Sequence, residues 1–195
     1  MLRFFVGFVG VAIALSDCVH AIPAAAEDAE AAEAALGEVP NFYVREVTGY
    51  RPNLAICLVC RYGARPVVLI CVRDMDEQVE RLIEKVDRTV DSNRGVGLRG
   101  FGVYVGSDIP NAQPNFAVLA RKRKIDMPLA LPVEAGGPRS LDLSKEDRVT
   151  VLIYQEKKVV RRFAFARGKL TDKRIAEVAA AAEALVRPAA MAVAD

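Results

Sequence analysis

Val67-Val68-Leu69-Ile70-Cys71-Val72 is an unbroken run of six apolar residues, and most of them are β-branched. Pro66 stands just before it and the charged Arg73 just after it. A strand with water on one side alternates apolar and polar residues, whereas a strand covered on both faces is apolar throughout. The run therefore predicts a central strand of a sheet that is packed between other elements.

The segment after this run has helical periodicity. Asp74 is a candidate N-cap, with Glu77 three residues further on in the capping-box position. Asn93-Arg94-Gly95 is a candidate end for the helix. The apolar residues between these limits recur at helical spacing and predict one buried face: Val79, Leu82, Ile83, Val86 and Val90.

Strands and helices continue to alternate along the chain. Residues 101–105 predict a strand, 116–124 a short helix, and 127–131 a short strand. Residues 149–154 and 159–165 predict a hairpin, and a last helix is expected from Thr171 to Leu185, with Pro188 as its stop. Helices between strands imply parallel pairs, and the hairpin adds an antiparallel edge. The prediction is an α/β three-layer sandwich with a mixed central sheet.

The first residues resemble a secretory signal. Arg3 is followed by an apolar run over 4–15, and small-x-small patterns end at Ala21 and at Ala26. We expect a signal peptide over 1–26, with Ala21 as the other cleavage position and a retained membrane anchor as the alternative. The expected organisation is then an Ala/Glu-rich linker over 27–39, one domain over 40–187 and a disordered tail over 188–195. The protein is expected to be exported, to the periplasm or the outside of the cell.

Cleavage would remove His20, which is the one histidine of the chain. The mature protein would then lack the imidazole that Ser-His-Asp and Cys-His catalysis require, and it would have no histidine to bind a metal. A net charge of +2 also argues against a nucleic-acid partner. We expect no cofactor, no metal and no membrane span after signal removal.

A glycine motif at residues 95–100 matches the spacing GxGxxG. In dinucleotide-binding domains this motif follows a strand and opens a helix, so that the pyrophosphate lies at the helix N-terminus. Here it follows a predicted helix and precedes a predicted strand. We therefore interpret these glycines as a turn.

Cys57 and Cys60 are the candidate catalytic residues. Their spacing allows the two sulfurs to interconvert between dithiol and disulfide, and Arg61 and Arg65 nearby would favour a thiolate. The alternatives are a structural disulfide and, less favoured with so few thiols, a metal site. Cys71 lies in the apolar run and is expected to pack in the core.

The order of these elements resembles the thioredoxin-like fold, in particular its exported bacterial thioredoxin-like and redoxin-like members. The strand over 67–72, the helix after it, the closing hairpin and the final helix correspond to that fold. The resemblance implies thiol–disulfide exchange with a protein thiol or disulfide as partner. The loop that carries the redox pair in that fold is 73–76 here; it has no cysteine, and an aspartate is expected to occupy its anion position. The proline that usually precedes the closing hairpin is also absent, since Val149 stands before Thr150.

The cysteine pair is therefore displaced from the usual position. We expect no strand directly before Cys57, because Arg51-Pro52-Asn53 would break it, and no long helix after Cys60, because of Gly63 and Pro66. The function that the sequence predicts is thiol–disulfide exchange, with Cys57 attacking and Cys60 resolving. The alternative is a non-catalytic binding or structural module in which the same pair is a structural disulfide.

Overall fold

A mixed sheet runs through the part of the chain that the computed structural model describes, which is residues 36–134, 138 and 141–192. The predicted signal peptide, most of the predicted linker, Cys18 and His20 lie outside these residues. The elements in chain order are β1 (Val44–Glu46), β2 (Ala55–Ile56), α1 (Leu58–Tyr62), β3 (Val67–Val72), α2 (Glu77–Ser92), β4 (Arg99–Tyr104), α3 (Ile109–Arg123), β5 (Leu129–Pro132), β6 (Asp147–Gln155), β7 (Lys158–Ala166) and α4 (Asp172–Ala192).

The strands lie in the order β2-β1-β5-β4-β3-β6-β7. β3 runs parallel to β4 and antiparallel to β6, with Leu69 opposite Phe101 on one side and Leu152 on the other. All six residues of β3 are buried. The predicted central strand, the parallel pairs joined by helices and the antiparallel closing hairpin are therefore confirmed.

Two layers cover the sheet. Val68, Ile70 and Val72 of β3 pack on one face with the apolar residues of α2, α3 and α4. Val67, Leu69 and Cys71 pack on the other face, where the cover is thinner: α1, Val39 and the chain around Leu141. A strand sends successive side chains to opposite faces, which is why the apolar run of β3 serves both layers.

Helix α2 begins later than its sequence indicates. Its N-cap is Asp76, whose carboxylate accepts a hydrogen bond from the Val79 amide at 2.9 Å, and the helix starts at Glu77. Our assignment of the cap to Asp74 is therefore wrong. Asp74 forms ion pairs with Arg148 and Arg167 instead. The predicted apolar face of α2 is confirmed, since all five of its residues are buried.

Two helices extend past the limits that we expected, and each contains a proline. Helix α3 begins at Ile109 rather than near Phe116, and Pro114 lies inside it. Helix α4 continues to Ala192, past Pro188, which was predicted to stop it. Proline removes one hydrogen bond from a helix and favours a local kink, so local propensity alone indicated shorter helices than the structure has. None of the described helices is long and apolar enough to cross a membrane.

Candidate functional site

Cys57 and Cys60 form a disulfide at the beginning of α1. Their Cα atoms are 5.2 Å apart. Cys57 is the N-cap residue of the helix, and its Sγ accepts a hydrogen bond from the Cys60 amide at 3.1 Å. An amide that donates to a sulfur stabilises negative charge on it, so the position of Cys57 favours a thiolate once the bond is opened.

The two cysteines differ in their access to solvent. Cys57 is 7% exposed and belongs to the core on the thinly covered face of the sheet. Cys60, one turn of chain later, is exposed. The disulfide therefore presents one sulfur-bearing residue to the solvent and keeps the other against the core.

A short strand precedes the disulfide, contrary to our expectation. β2 consists of Ala55 and Ile56, and it pairs antiparallel with β1 at the edge of the sheet. Asn53, with φ of 69°, makes the turn that brings the chain back to this edge. The tight turn over 51–54 shortens the strand but does not remove it. The expectation that no long helix follows Cys60 is confirmed, because α1 ends at Tyr62 and Gly63 is its C-cap.

Apolar and aromatic contacts hold α1 on the sheet. Leu58, Val59 and Tyr62 are buried beneath it. The ring of Tyr62 lies 5.9 Å from that of Phe101 in β4, and the ring of Phe42 lies 6.3 Å from it. Burial raises the pKa of Tyr62 to about 12, so its hydroxyl is protonated at neutral pH. The helix that carries the disulfide is thus fixed by its apolar side, while Arg61 is exposed.

The third described cysteine is distant from solvent. Cys71 lies in β3, is 1% exposed and is a free thiol. Burial raises its pKa to about 12. A thiol with such a pKa has almost no thiolate at neutral pH and is a poor nucleophile. The position of Cys71 agrees with the core role expected from the sequence.

The loop between β3 and α2 holds charged residues. The sequence resemblance had identified this loop with the one that carries the redox pair in thioredoxin-like proteins. Arg148, 9% exposed at the beginning of β6, forms ion pairs with Asp74 and Asp76. Arg73 donates to the carbonyl oxygens of Val105, Ser144 and Asp147. Asp74 and Asp76 are thus the anionic groups of this loop, and the guanidinium of Arg148 pairs with both carboxylates.

The GxGxxG motif at residues 95–100 begins with a turn. The residues from Gly95 to Gly97 connect α2 to β4, and Gly97 has φ of 99°, which glycine adopts at low cost. Gly100 already belongs to β4. The motif follows a helix and opens a strand, as we expected, so no helix N-terminus is present to hold a dinucleotide phosphate. Within the described residues no group of histidine, cysteine or acidic side chains is suited to hold a metal ion.

Comparison with known proteins finds similarity in structure but not in sequence. No family model and no curated protein matches the chain. Peroxidoxin BcpB from Mycobacterium tuberculosis superposes with a TM-score of 0.59 at 17% identity, over 77% of this chain and 96% of that chain. Peroxiredoxin Q from Xanthomonas campestris gives 0.59 at 15% identity, over 80% and 99%.

A third solved structure, assigned as the thiol:disulfide interchange protein DsbE of Chlorobium tepidum, gives a TM-score of 0.53 at 11% identity, over 73% of this chain and 94% of that chain. Identities this low carry no assignment of activity or of individual residues. The three solved structures nevertheless share one architecture, and the strand order described above agrees with it. The chain therefore has a thioredoxin-like α/β fold, as its sequence indicated.

Proposed function

We propose that this protein exchanges thiols and disulfides through Cys57 and Cys60. The observation that carries the proposal is the asymmetry of the pair. Cys60 is exposed to an incoming thiol, and Cys57 is the buried N-cap residue whose sulfur accepts the Cys60 amide hydrogen at 3.1 Å. Exchange requires one sulfur that a substrate can reach and one that is a good leaving group, and the two cysteines divide these properties between them.

The first step is attack of a substrate thiolate on Cys60 Sγ. A bond forms between the substrate sulfur and Cys60 Sγ, the Cys57–Cys60 bond breaks, and Cys57 leaves with the electron pair as a thiolate. The Cys60 amide already donates to this sulfur, so the charge develops at a site with a hydrogen-bond donor in place. These exposures favour Cys60 as the residue that meets the substrate and Cys57 as the resolving one, the reverse of the order expected from sequence.

The second step returns Cys60 as a thiolate. A second thiolate of the substrate attacks the substrate sulfur of the mixed disulfide, and Cys60 Sγ is the leaving group. The substrate dithiol has then lost two electrons and two protons, and the cysteine pair has gained them. In the opposite direction the reduced Cys60 attacks a substrate disulfide and Cys57 resolves the intermediate, so the same residues serve oxidation and reduction.

Basic residues next to the pair support this chemistry. Arg61 directly follows Cys60, and Arg65 lies just beyond the end of α1; both are exposed. A positive charge near a sulfur favours its thiolate over its thiol and attracts an anionic nucleophile. We further propose that the protein is exported and therefore works in an oxidising compartment, where disulfides form and persist. Its partner would be a protein thiol or disulfide.

The second candidate function is a structural one. Cys57 packs in the same core cluster as Leu58, Val59 and Tyr62, and a disulfide there would fix α1 on the thinly covered face of the sheet. In that case the protein is a non-catalytic binding or structural module with a thioredoxin-like fold. The two functions differ in how easily the bond is reduced, because a structural disulfide is thermodynamically resistant to the thiols around it.

The reduction potential of the pair separates these functions. We expect a value within the range of catalytic dithiols, about −270 to −120 mV. The measurement equilibrates the protein with glutathione buffers of stated ratio, alkylates the free thiols and counts them by mass. The variant Cys18→Ala/Cys71→Ala leaves only the pair to titrate and serves as the matched control. A potential at or below about −300 mV would assign the bond to the structural role and end the exchange proposal.

A further inference from the structure

A small basic pocket lies beside α1, at the end of the sheet where β3 and β4 begin. Its volume is about 120 Å³, and Gly100, Met127 and Pro128 form part of its wall. The register of the two strands explains why it forms: Val67 is opposite Arg99, and the Arg99 amide donates to the Pro66 carbonyl at 3.0 Å. The polar residues that line it come from three separate segments: Tyr50, Arg61, Tyr62, Arg65, Arg94 and Arg99.

Four guanidinium groups meet at this pocket, and no carboxylate lines it. In the described part of the chain Arg61, Arg65 and Arg99 have no ion-pair partner, and Arg94 has only the exposed Asp91 at 3.3 Å. The buried Glu46 acts electrostatically on Tyr62 but does not line the pocket. Positive charges around one pocket repel each other, and an anion between them would relieve that repulsion.

Several of these side chains are already held in place. Arg99 Nη1 donates to the carbonyl oxygens of Leu98 and Arg94, at 2.7 and 3.0 Å. Arg94 Nη1 donates to the Tyr50 hydroxyl at 3.3 Å, and the Arg61 guanidinium lies over the Tyr50 ring at 4.9 Å from its centroid. Tyr50 accepts from Arg94, so its hydroxyl hydrogen remains able to donate to a ligand. Side chains fixed before binding lose little entropy when a ligand arrives.

We propose that this pocket is a binding site for a small oxoanion, either a phosphate or a carboxylate group. Guanidinium groups bind both in a bidentate manner, through parallel N–H donors. The volume lies well below the range of pockets that enclose a whole drug-sized ligand, so it fits one anionic group. The inference rests on the arginines and tyrosines of the pocket and holds whether the disulfide is catalytic or structural, although Arg61 and Arg65 also support the proposed exchange.

Isothermal titration calorimetry tests this site with two probes, sodium phosphate and sodium acetate, each at constant ionic strength balanced with sodium chloride. We expect saturable binding of at least one probe to the full-length protein. The double variant Arg61→Gln/Arg65→Gln should weaken it by about tenfold or more. The matched control, Arg121→Gln/Arg187→Gln, removes the same charge from two exposed residues that do not line the pocket and should bind as the wild type does.

The outcomes separate the sources of the anion. Binding of phosphate alone supports a phosphate site, binding of acetate alone a carboxylate site, and binding of both a general oxoanion site. Binding of neither probe overturns the proposal, and so does equal weakening in the two double variants, which would indicate bulk charge alone. If the first double variant does not fold by circular dichroism, Arg94→Gln is used in its place and is expected to weaken binding in the same direction.

Discussion

The variant Cys57→Ser is expected to accumulate a mixed disulfide with a substrate, whereas Cys60→Ser accumulates none. Both variants should lose turnover completely, because thiol–disulfide exchange needs two sulfurs. They differ in what remains: Cys57→Ser keeps the exposed Cys60, and Cys60→Ser keeps a residue that is 7% exposed. Attack on a substrate disulfide requires access, and without Cys57 no resolving thiolate is present to release the product.

Two measurements check this result. Turnover is followed as the reduction of insulin by dithiothreitol, where both variants should fall to the rate without protein. Capture is followed by reaction of the reduced variants with an aromatic disulfide that releases a coloured thiolate, and then by mass. Cys57→Ser should release the thiolate rapidly and gain the mass of one reporter group. Cys60→Ser should react slowly and gain little.

The buried third cysteine provides the control. Cys71→Ser removes a thiol whose pKa is raised to about 12 by burial, so turnover and reporter capture should not change. If the wild type shows no turnover, the exchange function is wrong and the structural role of the disulfide remains. If Cys60→Ser captures the reporter and Cys57→Ser does not, the exchange function holds but Cys57 is the attacking residue, as the sequence had indicated.

The fold was largely predictable from local patterns. The apolar run of β3 predicted its burial on both faces, and helical spacing predicted the buried side of α2. The hairpin was also found, although its turn at Glu156 and Lys157 places two non-glycine residues at positive φ. The features that local patterns missed depend on contacts with residues far along the chain. Asp74 does not cap α2 because Arg148 and Arg167, far along the chain, bind its carboxylate.

The candidate site was predictable only in its residue types. The spacing of Cys57 and Cys60 indicated that they would pair, and they do. Their unequal exposure depends on how α1 packs against Phe101, which no local pattern contains. The basic pocket is similar in this respect, because Arg65 and Arg99 become neighbours through the register of β3 with β4. Burial and long-range register are properties of the assembled sheet, and they determine which of two identical side chains meets a substrate.

The loss of the Phe101 ring should destabilise the protein more than most single substitutions, because this ring joins the sheet to the layer that carries the disulfide. Phe101→Ala is expected to lower the free energy of unfolding by about 3–5 kcal/mol, since the ring is fully buried and contacts both Phe42 and Tyr62. Urea unfolding followed by circular dichroism measures the change. Phe163→Ala, on a half-buried ring of β7, is the control and should cost about 1–2 kcal/mol. Equal losses in the two variants would contradict a core on the α1 face, and with it the buried environment that distinguishes Cys57 from Cys60.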